Sequence, residues 1–91
     1  MSVKARAFYP ALQRLFDDPD DVRVEGRTVG ECLAELVRRY PGAEKLLFDS
    51  RGALLRNVHV FVNAEGLFKP EMTRPVTDKD QLIIAVLAIG G

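Results

Sequence analysis

The stretch Leu82-Ile83-Ile84-Ala85-Val86-Leu87-Ala88-Ile89-Gly90-Gly91 decides how this sequence is interpreted. Its first eight residues are apolar and rich in β-branched side chains, which is typical of a buried strand. The two glycines that follow have no side chain to pack and have wide backbone freedom. We therefore expect a strand followed by a flexible arm over residues 88–91. That shape would suit a carboxylate that has to enter another protein's active site.

Two segments near the amino terminus also have the pattern of strands. Val3, Ala5 and Ala7 alternate with polar or aromatic neighbours, which is the period-two pattern of a half-buried strand. The short segment Val22-Arg23-Val24 is expected to pair back on this first strand.

A further strand is predicted between Asn57 and Asn63, with Val58, Val60 and Val62 on one face. His59 and Phe61 fall on the opposite face. His59 is the one histidine of the chain, but no Ser, Cys or Asp stands near it in a recognisable catalytic arrangement. We therefore expect His59 at a surface or an interface. The residues 63–66 that follow are predicted to form a turn.

A single long helix is predicted to begin after Thr28. Thr28 followed three residues later by Glu31 is a capping box, and Pro41-Gly42 ends the helix. Glu35 and Arg39 are placed to form an ion pair on its surface. Its apolar stripe, in which Cys32 is a core residue, consists of Val29, Cys32, Leu33, Leu36, Val37 and Tyr40.

Length and composition narrow the class of protein. Ninety-one residues with 47% hydrophobic content correspond to one globular domain. Thirteen basic and thirteen acidic residues give no net attraction to nucleic acid or membranes. The apolar run ending at Ile89 is too short to span a bilayer, and no signal peptide is evident at the amino terminus. Because one cysteine forms no internal disulfide, we expect a cytoplasmic protein.

The acidic cluster Asp17-Asp18-Pro19-Asp20-Asp21 contains carboxylate oxygens of the kind that bind metal ions. Calcium loops need alternating oxygen ligands, a glycine at the sharp turn and a distal bidentate Glu, and this segment lacks the glycine. We interpret it as a solvated turn and expect no metal site.

The order of the predicted elements is strand, strand, helix and then two or more strands. One amphipathic helix must cover one face of such a sheet. We predict an α+β fold with a mixed sheet in which the first and last strands are adjacent and parallel. This is the β-grasp (ubiquitin-like) arrangement, in a single domain over residues 1–91 with the tail at 88–91.

Several segments, in this order, resemble the ubiquitin-like sulfur carriers. They are Val3-x-Ala5-x-Ala7-Phe8 with Leu12, Thr28-Val29-x-x-x-Leu33, Val58-x-Val60-x-Val62-Asn63, and Asp80-x-Leu82-x-Ile84 leading to Gly90-Gly91. The family includes the molybdopterin synthase small subunit and the carriers of the thiamine and cysteine pathways. This chain departs from it at Lys79, where glycine is frequent, and at Val86, where proline is frequent. These departures weaken assignment to a branch but leave the glycines intact.

The resemblance implies a carrier, not an enzyme. A partner adenylating enzyme of the ubiquitin-activating type would use ATP to activate the Gly91 carboxylate, which sulfur then converts to a thiocarboxylate. The sequence has no Gly-x-x-x-x-Gly-Lys phosphate loop and no evident base, so it would not catalyse the activation itself. No bound cofactor is expected, and the ATP is used by the partner enzyme. Gly90 would provide flexibility. The sulfur acceptor would be a cysteine-synthase-like enzyme, a thiazole synthase or the molybdopterin synthase large subunit.

Partner docking is assigned to Leu87, Ala88 and Ile89, extended by Phe61 and His59 on the adjoining strand face. Three other functions stay open. The chain could be a permanent small subunit of molybdopterin synthase, a protein modifier conjugated to lysines through Gly91, or an interaction module whose tail has no chemical role.

Overall fold

The computed structural model describes residues 2–63, 65–66 and 72–86. The strands in these ranges are β1 (Ser2–Phe8), β2 (Val22–Glu25), β3 (Val58–Val62), β4 (Glu65–Gly66) and β5 (Gln81–Val86). They form one sheet in the order β2-β1-β5-β3-β4. The helices are α1 (Pro10–Gln13), α2 (Val29–Arg39) and α3 (Ala43–Leu47).

The sheet is mixed, as the sequence predicted. β1 and β5, the first and last strands described, lie side by side and run parallel. The β1–β2, β3–β5 and β3–β4 pairs are antiparallel. In the register of the central strands, Ile84 lies between Ala7 of β1 and Val60 of β3. The predicted β-grasp arrangement is therefore confirmed.

Helix α2 begins where its capping box predicted. The Thr28 side chain accepts a hydrogen bond from the Glu31 backbone N–H at 3.1 Å. The Glu31 carboxylate in turn accepts one from the Arg27 backbone N–H, one residue before the cap, also at 3.1 Å. These bonds satisfy donors that a helix start would otherwise leave without partners.

The segment of residues 72–76, which precedes β5, covers the start of α2. The backbone N–H of Val29 donates to the Arg74 carbonyl at 3.0 Å, and that of Gly30 donates to the Met72 carbonyl at 2.9 Å. A Cβ added at Gly30 would lie 3.0 Å from the Met72 carbonyl oxygen, so glycine permits this close approach. Residues 72–76 thus take up the first free amides of the helix.

The core lies between α2 and one face of the sheet. Alternate residues of the strands point into it, and the predicted stripe of α2 meets them. Val37 and Tyr40 of the stripe are partly buried against its margin. The buried residues are Val3, Ala5, Ala7, Leu12, Phe16, Val22, Val24, Val29, Cys32, Leu33, Leu36, Ala43, Leu47, Val58, Val60, Val62, Val76, Leu82, Ile84 and Val86.

The predicted ion-pair contact between Glu35 and Arg39 is not formed, although the charge of Arg39, after the hydrogen bond and charge of Arg38, helps to lower the pKa of Glu35. Glu35 instead pairs with Arg38, whose guanidinium donates two hydrogen bonds of 2.7 and 2.9 Å to its carboxylate. Arg39 donates to the Arg23 carbonyl of β2 at 2.6 Å. The Arg39 guanidinium therefore binds a backbone carbonyl of edge strand β2. The spacing of residues in the helix had predicted Glu35 as its partner.

The turn predicted over residues 63–66 is shorter than expected. Val62 pairs with Glu65 and Phe61 with Gly66, so Glu65 and Gly66 belong to strand β4 and not to the turn. Asn63 has a φ of 59°, in the left-handed region that Asn tolerates better than most residues.

Candidate functional site

The residues assigned to sulfur transfer and to tail docking, namely Gly90, Gly91, Leu87, Ala88 and Ile89, lie outside the described residues. The predicted tail boundary at residue 88 lies outside them as well. These assignments stay predictions. The structure describes the strand that leads to them and the surface beside its end.

Strand β5 brings the chain to the tail from the middle of the sheet. Its last residue, Val86, is buried and pairs with Val58 of β3. Ala85 lies between Phe8 of β1 and His59 of β3 in the register of the sheet. The end of β5, as far as the structure describes it, therefore lies beside these two aromatic side chains.

The sheet face opposite the core is the candidate docking surface. The described residues on this face are exposed or half-buried, because the helices pack on the other side. We call it the open face and define it by Lys4, Arg6, Phe8, His59, Phe61, Ile83 and Ala85. Across the strands, Arg6, Ile83 and Phe61 form one row, and Phe8, Ala85 and His59 form the next.

The positions predicted for His59 and Phe61 are confirmed. Both lie on the face opposite the buried valines of β3, with His59 exposed and Phe61 half-buried. The strand alternation was sufficient to place them. Their role in docking stays a prediction.

Phe8 is a residue of this surface that the sequence analysis did not assign to docking. Its side chain is 54% exposed, and it is the one large hydrophobic side chain that is exposed among the described residues. The signal was present in the sequence, since Phe8 follows buried Ala7 and so falls on the polar side of an alternating strand. The pairing with Ala85, next to the start of the tail, follows from the tertiary structure alone.

Basic side chains flank the aromatic residues on the β1 and β2 side. The Arg6 guanidinium lies 5.6 Å from the centre of the Phe8 ring, within cation–π range. Arg6 also approaches Asp20 at 3.9 Å, and Arg23 of β2 pairs with Asp21 at 3.3 Å. The acidic cluster interpreted as a solvated turn thus faces these two arginines.

Hydrogen bonds fix the chain at the end of β1, next to Phe8. The Gln13 side chain donates to the Ala7 carbonyl at 2.7 Å. The backbone amides of Leu12 and Gln13 both donate to the Tyr9 carbonyl, at 3.0 and 2.9 Å. Phe8 is therefore held between a paired strand and a closed helical turn.

A second set of hydrogen bonds fixes the beginning of β5. The Asn63 side chain donates to Asp80 at 3.0 Å and accepts from the Gln81 backbone N–H at 2.9 Å. The Thr77 backbone N–H donates to the other Asp80 carboxylate oxygen at 2.8 Å. These bonds from Asn63 and Thr77 lower the pKa of Asp80 from its ordinary value.

Cys32 is a core residue, as predicted. Its side chain is fully buried on α2, and burial, together with the charges of Glu31 and Glu25, raises the pKa of its thiol to about 11. A nucleophilic cysteine needs the opposite conditions, an accessible site and a lowered pKa.

The described ranges also bear on metal binding and on membrane insertion. No group of three or more His, Cys, Asp or Glu side chains is placed to hold a metal ion in residues 2–63, 65–66 and 72–86. No helix within these ranges has the length and apolar content needed to cross a membrane. An open groove on the helix side is lined by Ala34, Val37, Glu44, Phe48 and Gly52.

Comparison with known proteins identifies the fold through solved structures. No protein-family model matches the chain, and no curated protein matches it. The small archaeal modifier protein SAMP1 from Haloferax volcanii matches with a TM-score of 0.82 and 26% identity over 100% of both chains.

Two further solved structures match at 26% identity. A chain of the BexX/CysO complex from Amycolatopsis orientalis has a TM-score of 0.75, covering 99% of this chain and 98% of that one. CysO from Mycobacterium tuberculosis has a TM-score of 0.74, covering 96% and 98%. These neighbours are ubiquitin-like β-grasp sulfur carrier proteins, so the resemblance predicted from the sequence is confirmed. They are small carrier proteins rather than catalysts.

Proposed function

We propose that this chain is a sulfur carrier whose Gly91 carboxylate is converted to a thiocarboxylate that donates sulfur in biosynthesis. The observation that carries the proposal is the match to SAMP1 and CysO along nearly the whole chain. The proposal is further supported by the sequence order, because the segment ending in Gly90-Gly91 follows strand β5, which is central in the sheet. The carrier would act as a co-substrate of other enzymes, in the cytoplasm.

The chemistry needs an activated carboxyl group, because a carboxylate has no good leaving group and its charge repels nucleophiles. In the proposed reaction the Gly91 carboxylate attacks the α-phosphate of ATP and releases pyrophosphate. Sulfide then attacks the acyl carbon, the bond to AMP breaks, and a thiocarboxylate remains. A partner adenylating enzyme of the ubiquitin-activating type would supply the ATP site.

The two glycines would let the tail enter a narrow channel in that partner. Neither glycine has a Cβ, so the backbone can approach the channel walls and the phosphates closely. Any side chain at residue 91 would obstruct that approach. Leu87, Ala88 and Ile89, with Phe61 and His59, would contact the partner around the channel mouth.

The test is the intact mass of the protein after incubation with the adenylating enzyme, Mg-ATP and sulfide. We expect a gain equal to replacing one oxygen by sulfur in the parent protein, and none in Gly91→Val. Ala53→Val is the control, because it also introduces a valine, at an exposed loop residue, and should load like the parent. Equal loading of Gly91→Val and the parent would contradict the proposal.

A second candidate function is that of a ubiquitin-like modifier conjugated to lysines through Gly91. The match to a protein named as a modifier favours it. Adenylation is common to both functions, and the product differs. Isopeptide adducts that survive denaturing gel electrophoresis and disappear in Gly91→Val would support the modifier. A thiocarboxylate product without such adducts would support the carrier.

A further inference from the structure

We propose that the edge of β2 is an interaction surface at which two copies of this chain pair antiparallel, with Val24 of each copy on a twofold axis. In this arrangement Arg23 of each copy stands opposite Glu25 of the other. Arg39 limits the pairing, because its guanidinium occupies a backbone group that the pairing needs. This surface lies on the opposite side of β1 from β5, and its pairing does not depend on the proposed function.

β2 is an edge strand with backbone groups that another strand could use. Within the described residues it has β1 on one side and no strand on the other. The backbone groups of an antiparallel strand point alternately to its two sides, and the groups at an edge can pair with another chain. The Arg39 guanidinium binds the Arg23 carbonyl at 2.6 Å, so this carbonyl faces the edge. By the same alternation, the backbone of Glu25 faces the edge as well.

The charges along β2 favour one register for two copies. Arg23 and Glu25 are exposed on one face of the sheet, and buried Val24 between them points to the other face. A twofold axis at Arg23 would set two arginines against each other, and an axis at Glu25 would do the same to two glutamates. An axis at Val24 sets each arginine against the glutamate of the other copy. Like charges directly opposite destabilise a strand pair and opposite charges stabilise it, so the axis at Val24 is favoured.

The backbone hydrogen bonds permit the same register. Because the backbones of Arg23 and Glu25 both face the edge, each Arg23–Glu25 pair across the axis can exchange two N–H···O=C hydrogen bonds. Val24 then falls on the non-hydrogen-bonded position between the two pairs. A twofold axis makes the two contacts identical, so the assembly closes as a dimer.

The arginine of this surface can leave the partner that it has in the single chain. Arg23 pairs with Asp21 at 3.3 Å, and both side chains are exposed. Pairs of this kind contribute little to stability, so the guanidinium can turn to Glu25 of a second copy. The chain carries thirteen basic and thirteen acidic residues, and a protein without net charge has little general repulsion between its copies. Local pairing therefore decides whether two copies associate.

Arg39 acts against this pairing. The Arg23 carbonyl that accepts from Arg39 is the group that would accept from the Glu25 backbone N–H of the second copy. Charged side chains at sheet edges are a common means by which proteins prevent pairing between edges. Arg39 is exposed at the last position of α2, so its side chain can move away from β2. The dimer is therefore weak in the parent protein and strengthened where residue 39 does not reach the carbonyl.

Analytical ultracentrifugation over a range of protein concentrations measures the association. We expect the parent to dimerise weakly and Arg39→Ala to lower the Kd of the dimer about tenfold, because one competing hydrogen bond is removed from each copy. Arg38→Ala is the matched control, since Arg38 is exposed on the same helix but binds Glu35, and it should leave the Kd unchanged. Absence of a dimer of Arg39→Ala at about 1 mM, or equal effects of the two variants, would overturn the proposal.

Charge reversal in the Arg39→Ala background tests the register. Arg23→Glu and Glu25→Arg should each raise the Kd about tenfold or more, because each sets like charges opposite each other across the axis. An equimolar mixture of these two variants should regain the dimer, because every glutamate then meets an arginine, and the two changes combined in one chain should do the same. Arg51→Glu, in an exposed loop outside β2, should dimerise like the background protein. Single variants that still dimerise, or a mixture that stays monomeric, would overturn the pairing of Arg23 with Glu25.

Discussion

Asp80 illustrates how one residue near the surface organises two strands. Its carboxylate accepts hydrogen bonds from Asn63 after β3 and from Thr77 before β5, and it stands one residue before β5 begins. Asn63 completes the link by accepting from the Gln81 backbone N–H. These bonds fix the point at which β5 enters the sheet, and therefore the register that leads to Val86.

The lowered pKa of Asp80 predicts how this link depends on pH. A carboxylate whose folded-state pKa lies below its ordinary value of 3.8 stabilises the fold above that value, and the contribution is lost as pH falls through the folded-state pKa. Asp80→Asn should therefore be modestly less stable than the parent at pH 7, and the difference should shrink between about pH 5 and about pH 2.

Urea unfolding of both proteins at several pH values measures this difference. Asp78→Asn is the control, since Asp78 is exposed in the same turn and its carboxylate makes no hydrogen bond in the described part of the chain. If the difference in the free energy of unfolding between the parent and Asp80→Asn stays constant over this pH range, the lowered pKa of Asp80 in the folded state is contradicted.

At the scale of one element, the two faces of strand β5 have different roles. One face packs in the core, and the other belongs to the open face of the sheet. Leu82, Ile84 and Val86 point into the core, whereas Ile83 and Ala85 are half-buried on the open face. Because β5 is central, each of its residues has neighbours on both sides, and Ile84 lies between Ala7 and Val60. One strand thus supplies the middle of the core and the middle of the candidate docking surface.

Two isoleucines that are adjacent in β5 should respond very differently to truncation. Ile84→Ala should lower the free energy of unfolding by about 2–5 kcal/mol, because it leaves a cavity in a buried site. Ile83→Ala removes the same atoms from the open face and should cost about 1 kcal/mol or less. Chemical denaturation of the two variants provides the comparison, and similar losses would show that the open face is covered within the folded protein.

At the scale of the whole molecule, we divide the chain into a folded body and the predicted tail, residues 88–91. We expect the tail to contribute little to the free energy of unfolding of the body. The buried residues of the described ranges are apolar, and buried charged or polar residues are absent from those ranges. The proposed function assigns the residues beyond Val86 to partner binding and to chemistry. The open face lies beside the point where body and tail meet.

Deleting Gly90 and Gly91 tests this separation. The free energy of unfolding should stay within about 0.5 kcal/mol of the parent value, as for other changes away from packed sites. Thiocarboxylate formation should be lost completely. Urea unfolding and intact mass measured on the same preparation check both statements, and a loss of more than about 1 kcal/mol would indicate that the glycines pack against the body.

Local patterns determined most of the fold of this protein. Strand alternation placed the valines of β3 inside and His59 and Phe61 outside, and the capping box located the start of α2. The order of elements predicted the parallel β1–β5 pair. These features follow from the periodicity of side chains and from the chemistry of one helical turn, which depend on residues close together in the sequence.

Contacts between distant segments were decided by the tertiary structure alone. Arg39 binds the Arg23 carbonyl instead of Glu35, and residues 72–76 cover the start of α2. Gly26 has to be glycine because a Cβ there would lie 2.8 Å from both the backbone N and the Sγ of Cys32. Phe8 lies beside Ala85 only because the sheet register places the two residues opposite each other. Each of these contacts depends on which distant backbone segments the folded chain brings within a few ångströms of each other. Local sequence patterns do not determine those distances, so the contacts could not be predicted from them.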